Sequence, residues 1–357
     1  MIDSSFFCNN KKFSLPFSLS KNLLFIKENI QKCINEDVLS ESEKLVLEKN
    51  AHRFFKQFIP SEQEFCVSED DLEDPLGAKN YHVLPRLIHQ YKNRCLLLTH
   101  FKCFSYCRYC FRKTQLLENQ DDFISDADID AVCEYLRNHS EIEEILLSGG
   151  DPLLIGNEKF EQLLIKLRET KKDLLIRICT RSLTFAPERF DDKLISILSN
   201  NKPLWIIPHI NHPFEIDMKI NPKTVALIEK LGNCGLPLQS QTVLLSGVND
   251  SLEDLTTLFN KITKLGIKPG YLFQCDLARG TSHFRVPLVK GLELYDTLKK
   301  ELSGLSLPVY AVDLPGGGGK IHLETFDILK NNPKITENDT MFVIETAAGK
   351  KYFYPKN

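Results

Sequence analysis

Three cysteines stand within eight residues of this chain, Cys103, Cys107 and Cys110, in the order C-x3-C-x2-C. Thiols grouped this tightly point to metal. Zinc would need a fourth Cys or His to close its tetrahedron, and its knuckles favour C-x2-C pairs. A [4Fe–4S] cluster takes four thiolates, so three leave one iron open to a further ligand. The second feature is Lys320, at the end of Asp313-Leu-Pro-Gly-Gly-Gly-Gly-Lys320. This is no nucleotide P-loop, because Leu314 stands where the first glycine is needed and Ile321 follows the lysine. A plain flexible loop is the bland reading. The sharper one is a lysine amine that forms a Schiff base with pyridoxal phosphate, on glycine backbone able to wrap the cofactor and reach its phosphate.

Other residues gather around these two. Ser148-Gly149-Gly150-Asp151 follows an apolar run, so its backbone can approach a ligand's polar end or simply make a tight turn. Asp276 and Asp313 each follow a strongly apolar segment, and buried carboxylates need a partner, such as a substrate ammonium. Arg112, two residues after Cys110, is either a structural ion pair or a bidentate carboxylate clamp. His209 and His212 lack the companions of a metal site and suit polar contact with a nucleoside-like ligand. Trp205 reads as core.

The elements that must position them are legible from residue 94 onward. Nearly continuous apolar runs at 94–100, 143–149, 174–180, 203–210, 237–245 and 270–277 alternate with helical patterns. Those patterns are Asp126–Asn138, Glu158–Arg168, Pro187–Leu198, Pro222–Leu231 and Leu252–Leu265. Continuous apolar strands imply a parallel sheet buried on both faces, and six serial β-α units imply an α/β fold, an open or closed (β/α)6 barrel. The cysteines, Ser148–Asp151, Thr180-Arg181, His209 and Asp276 then fall at strand carboxyl ends, where such barrels collect reactive groups, and Gln241 lies within the fifth strand. Helices are expected over Leu23–Ile34 and Ser40–Phe58, the latter opened by Ser40 and Glu43. The division is an N-terminal helical region (1–80), a barrel (81–290) and a C-terminal extension (291–357) carrying the lysine arm.

The totals exclude several classes. A net charge of -3 over 357 residues leaves no basic footprint for nucleic acid or anionic membrane. No apolar run approaches the ~20 residues of a membrane span, and the first residues do not read as a signal peptide. Eleven cysteines, mostly scattered among apolar segments, fit a reducing cytoplasm better than a disulfide scaffold.

With these residues assembled, the chain resembles the radical S-adenosylmethionine (SAM) lysine 2,3-aminomutase family. The likeness rests on Pro85-x-x-x-His89-x-Tyr91, CxxxCRYCFR, LLSGGDPL, Ile176-Arg177 with Thr180-Arg181, HINHPFE, QTVLLSGVNDS, QCDLxxGxxHFRVP and DxPGGGGK, in order over some 240 residues. It is also similar to the shorter branch that supplies β-lysine for modifying translation elongation factor P. The resemblance implies a partial β/α barrel with three cofactors, a [4Fe–4S] cluster, SAM and pyridoxal phosphate. Cys103, Cys107 and Cys110 would hold the cluster, and its open iron would chelate SAM. Ser148, Gly149, Gly150, Asp151, His209 and Gln241 would seat SAM. Lys320 would bind pyridoxal phosphate, with Tyr91 and Arg94 at its phosphate. Arg112 would grip the substrate carboxylate, and Asp276 and Asp313 its ε-ammonium. The implied reaction moves the amino group of L-lysine from Cα to Cβ, with flavodoxin or ferredoxin as electron donor and a homodimer as the default assembly.

The chain also departs from the family pattern. No cysteine follows Cys275, and Ser251 stands where longer relatives add one, so no structural zinc is expected. Gln90 replaces an arginine expected near the cofactor phosphate. The rival readings are an aminomutase for another cationic amino acid such as arginine, and an iron–sulfur electron carrier without catalysis.

Overall fold

The apolar runs become the strands their composition asks for. In the computed structural model, which describes residues 14–35, 39–119, 123–323, 335–338, 340–346 and 349–356, two helices come first, α1 (Lys21–Asn35) and α2 (Glu41–Lys56). The first 13 residues, Cys8 among them, lie outside the described residues. The start signal at Ser40 is a closed capping box: Ser40 Oγ accepts from Glu43 N–H, and the Glu43 carboxylate accepts from Ser40 N–H at 2.7 Å.

Strands β1 (His82–Leu84) and β2 (Leu87–Tyr91) run antiparallel into β3 (Arg94–His100). From β3 the order is parallel through β4 (Glu144–Gly149), β5 (Leu175–Thr180) and β6 (Leu204–Pro208). Between these strands lie α3 (Lys113–Glu118), α4 (Asp126–Asn138), α5 (Asn157–Thr170), α6 (Ser182–Phe185) and α7 (Asp192–Asn200). Strands β7 (Gln239–Leu244), β8 (Lys268–Gln274) and β9 (Val309–Leu314) continue in the same sense, separated by α8 (Pro222–Asn233), α9 (Leu252–Lys264) and α10 (Leu288–Glu301). Two parallel bridges, Ile206 with Leu238 and His209 with Gln241, join β6 to β7. All six expected strands are present, and β9 adds a seventh. The wall does not close, because antiparallel β2 flanks one edge and antiparallel β10 (Gly319–His322) the other.

Two expectations need correction. One helix was expected over Pro187–Leu198, but the chain forms a short 3-10 turn, Pro187–Arg189, and restarts at α7. Asp191 makes the break by accepting from Leu194 N–H at 2.7 Å, which caps the new helix. The strands were also expected to be buried on both faces. Their outer face is: Ile145, Leu147, Ile176 and Ile178 are fully buried in one core with Leu163, Leu167, Leu194 and Leu198. The inner face, with Leu146, Ser148, Arg177 and Cys179, is only half-buried. A closed eight-stranded barrel fills its interior with its own side chains, whereas this open wall leaves its inner face partly uncovered. Toward the C-terminus lies a small antiparallel sheet of β11 (Ile335–Glu337), β12 (Met341–Glu345) and β13 (Lys351–Pro355), with Ala347 and Ala348 outside the described residues.

Candidate active site

The cysteine loop leaves the end of β3. Burial holds the Cys103 thiol well above its ordinary pKa, and the neighbouring Asp151, Cys110 and Cys107 push it further. Burial first, then Cys107, raises Cys110 to about 12. Cys103 therefore feels Cys110 and Cys107, and Cys110 feels Cys107; thiols held this way stay protonated unless a cation joins them. A [4Fe–4S] cluster takes one thiolate per iron, so three neighbouring thiols fit it with one iron left open.

The Ser-Gly-Gly-Asp turn at the end of β4 lies directly on this loop. Gly150 N–H donates to His100 O at 2.6 Å and Asp151 N–H to Lys102 O at 2.8 Å. A Cβ on Gly149 would collide with the His100 carbonyl, and one on Gly150 with the Lys102 carbonyl; Gly149 also sits at φ 106°. The glycines thus admit the backbone that leads into Cys103. Asp151 is buried with its carboxylate fully engaged. It accepts from Thr180 Oγ1 at 2.8 Å, Arg181 N–H at 2.9 Å and Leu153 N–H at 3.1 Å. Sequence reasoning aimed this carboxylate at a ligand, whereas here it braces the ends of β4 and β5 together.

His209 and Gln241 meet across the β6–β7 bridge, where Ile210 N–H donates to Gln241 O at 2.9 Å. The His209 ring is half-buried, and desolvation holds its pKa down to about 4, with Arg181 adding to the effect. Among the described residues its Nε2 has no partner. An orphaned buried nitrogen fits a polar ligand such as a nucleoside. His212 differs: its Nδ1 accepts from Phe214 N–H at 3.2 Å, and its ring packs between Phe54 and Phe214.

On the opposite wall, β9 and β10 place Lys320 across from Asp313 in register. Lys320 Nζ lies 2.9 and 3.0 Å from the Asp313 oxygens, and 3.8 Å from the Phe273 ring centre. The glycine turn is pinned rather than loose. Gly317 O accepts from Tyr81 Oη–H at 2.9 Å and from Gln90 Nε2–H at 3.3 Å, while Lys320 N–H donates to Tyr91 Oη at 3.1 Å. Gly317 has φ 89°, and a Cβ there would meet the Tyr81 ring at 2.7 Å. Gln90, which departs from the expected arginine, therefore anchors the arm. The Arg94 guanidinium stacks 3.9 Å over the Tyr91 ring beside it. A lysine between aromatic rings, on an arm close to an arginine, fits pyridoxal phosphate.

Asp276 follows β8 and completes the pocket. Burial, then the charge of Asp313, lifts its carboxyl to about 8, against the pull of Lys320 and Arg112. Arg112 is itself buried, with burial lowering its pKa against the opposing fields of Cys110, Cys179 and Asp276. One electrostatic neighbourhood thus holds the cysteine loop, Arg112, the two aspartates and Lys320.

Sequence reasoning missed a second buried layer. Arg181 donates through Nη1 to Cys107 Sγ at 3.0 Å and to Tyr109 Oη at 2.6 Å, and through Nη2 to Glu215 Oε2 at 2.9 Å. The only signal was a Thr-Arg pair at a strand end.

With that geometry in place, comparison with known proteins is decisive. The Radical SAM superfamily pattern matches residues 97–259. A Treponema pallidum protein, named provisionally as an L-lysine 2,3-aminomutase, is 50% identical over 274 residues, which are 77% of this chain and 76% of that protein. The L-lysine 2,3-aminomutase of Acetoanaerobium sticklandii is 38% identical over 82% of this chain and 69% of its own length. The chain belongs to the radical SAM lysine 2,3-aminomutase family. A glutamate 2,3-aminomutase from Clostridioides difficile is 34% identical over 74% of the chain and 61% of its own length, so the radical SAM aminomutases similar to this chain include different substrate specificities. Members of this family are isomerases that use a [4Fe–4S] cluster, SAM and pyridoxal phosphate. Among the described residues, no helix of this member is long and apolar enough to cross a membrane.

Proposed function

We propose that the chain is an L-lysine 2,3-aminomutase, and the observation that carries the substrate is the half-buried Asp276–Asp313 pair beside Lys320. Burial and the charge of Asp313 lift the Asp276 carboxyl to about 8, so near neutral pH the pair holds less than its full negative charge. One ammonium matches it. A glutamate side chain would bring a second carboxylate into the same dry pocket and be repelled. Asp313 now neutralises Lys320. Once that nitrogen is committed to the cofactor, the carboxylate is free for the substrate's ε-ammonium.

The remaining residues bind, orient and exclude water. Cys103, Cys107 and Cys110 hold the cluster under the lid of α1 and α2. Ser148, Gly149, Gly150, His209 and Gln241 seat SAM, with Asp151 bracing that floor. Lys320 holds pyridoxal phosphate against Phe273, while Tyr91 and Arg94 face its phosphate. Arg112 pairs with the substrate carboxylate. When bound, the cluster and SAM supply a radical able to remove an unactivated hydrogen, and pyridoxal phosphate supplies the π system across which nitrogen shifts. This reading extends to a cytoplasmic homodimer reduced by flavodoxin or ferredoxin, and the free thiols of the described cysteines suit a reducing compartment. The boundaries 1–80, 81–290 and 291–357 then separate lid, barrel and cofactor arm.

Anaerobic turnover tests the proposal. The protein is reconstituted with iron, sulfide and pyridoxal phosphate, then given SAM, dithionite and L-lysine, L-arginine or L-glutamate. β-Lysine is the expected product, and Asp313→Ala is expected to lose about 100-fold or more in kcat/KM. Preferred turnover of arginine or glutamate would refute the substrate. Cluster uptake without SAM cleavage would favour the electron carrier.

A further inference from the structure

The mechanism above leaves unused the cation that touches a cluster cysteine. Arg181 is 6% exposed, and both its Nη atoms are engaged, while its Nε has no partner among the described residues. Its Nη1 is shared between Cys107 Sγ and Tyr109 Oη, and its Nη2 between Glu215 Oε2 and, at 3.3 Å, Gln57 Oε1. Phe58 and Phe185 lie over the guanidinium at 5.1 and 4.8 Å. Tyr109 is held in turn by Asn211 Nδ2–H at 2.6 Å, and Asn211 N–H donates to Glu215 Oε1 at 2.9 Å. A cation this firmly seated, with one donor on sulfur, cannot move aside when the charge on that sulfur changes. Arginine suits the place because its fork serves several acceptors at once and stays charged.

We propose that Arg181 is a positioning residue that sets the reduction potential of the cluster through its hydrogen bond to Cys107, with Glu215 as the counterweight. The inference rests on the proposed function only in taking the three cysteines to hold the cluster. Reduction adds one electron, from an external one-electron donor, to a cluster already carrying thiolate charge, and no proton need move. A fixed positive charge and an N–H donor on a cluster sulfur favour the more negative, reduced form, and so raise the potential. Glu215 works in the opposite sense, because its carboxylate offsets part of that charge. Arg181 directly follows β5 and Glu215 lies in the 3-10 turn Pro213–Ile216, 34 residues on, so the pair is made by the fold and not by local sequence.

The test is a dye-mediated redox titration followed by the electron paramagnetic resonance of the reduced cluster, with iron and sulfide content measured on every sample. For Arg181→Met, the reduced-to-oxidised ratio at a fixed potential should fall about tenfold, which for one electron is ~59 mV downward. Arg181→Lys retains the charge but cannot span Cys107, Tyr109 and Glu215 together, so it should fall between Met and wild type. Glu215→Gln should shift the ratio upward by a few-fold, since the amide oxygen can still accept from Asn211 N–H while the negative charge is gone. Opposite shifts from the two neutralising variants are the signature. An unchanged midpoint in Arg181→Met at full cluster content overturns the inference, as does a shift of both variants in one direction, which would mean general loosening of the site. If Arg181→Met fails to retain its cluster, Glu215→Gln decides alone: an unmoved or lowered midpoint sinks the idea. A wild-type protein that takes up no cluster removes the foundation as well.

Discussion

Asp276 shows how much one residue's surroundings can ask of the whole protein. Its carboxyl keeps a proton to about pH 8 because burial, and then Asp313, oppose ionisation. In the unfolded chain the same group lets go near ~3.9. Between those values the folded state binds the extra proton, so stability is greatest at the acid end and is lost as pH rises toward 8, by at most about 1.4 kcal/mol per pH unit. Buried His212 and half-buried His209 and His283, lowered to about 3, 4 and 4 by desolvation, give the opposite slope, losing stability as pH falls below their ordinary range. The informative quantity is therefore the difference between wild type and Asp276→Asn. Urea titrations of the cofactor-free protein from pH 5 to 8 should show wild type losing stability relative to the variant as pH rises, and a constant difference would contradict the assignment. This scale was also the most legible in sequence. Cys103, Cys107, Cys110, Asp276, Asp313 and Lys320 announce themselves by spacing or by following apolar runs. Arg181 does not, because an arginine at a strand end reads the same whether it meets water or sulfur.

At the scale of elements, the glycines of the β4 turn carry more structural duty than their motif suggests. Gly150 lies so close to the Lys102 carbonyl that any side chain must displace the backbone entering the cysteine loop. Overpacking of this kind costs about 1–3 kcal/mol, and here the strain is delivered to three ligands. Gly150→Ala should thus lower the urea midpoint and bind less iron after reconstitution, while Gly156→Ala, where a Cβ meets nothing, should change neither. Equal behaviour of the two would mean that the turn can adjust. The strands themselves were readable as continuous apolar runs, because their outer faces supply one large core. Their open inner face was not, since Leu146, Ser148, Arg177 and Cys179 look like ordinary strand residues until the wall is seen to stop short of closure. The break at Asp191 was hidden for a related reason: a cap inside a helical pattern is visible only when the neighbouring turn is known.

Across the whole molecule, one buried carboxylate ties the lid to the site. Glu64, fully buried in the turn that follows α2, accepts from Arg108 Nε–H and Nη2–H at 2.7 and 2.6 Å, and from Lys113 Nζ–H at 2.8 Å. Arg108 stands between two cluster cysteines in sequence and also donates to Leu15 O at 2.9 Å and Ser14 Oγ at 2.6 Å. The N-terminal segment, the 3-10 turn and the cysteine loop therefore share one charge centre, while Phe54 and Phe58 of the lid pack on Phe185 and Phe214 of the barrel. Burial alone would raise the Glu64 carboxyl, but Arg108 and Lys113 overcome it and hold the pKa below its usual range. Its stability contribution is thus present above the unfolded value of ~4.3 and is lost as pH falls through the lower folded one. Glu64→Gln leaves two buried cations facing a neutral amide, which costs about 3–5 kcal/mol. The variant should show that loss in urea at pH 7, a flattened acid limb, and faster proteolysis within residues 14–58. A cost confined to the acid range, with proteolysis unchanged, would mean that the aromatic packing holds the lid without the charge centre.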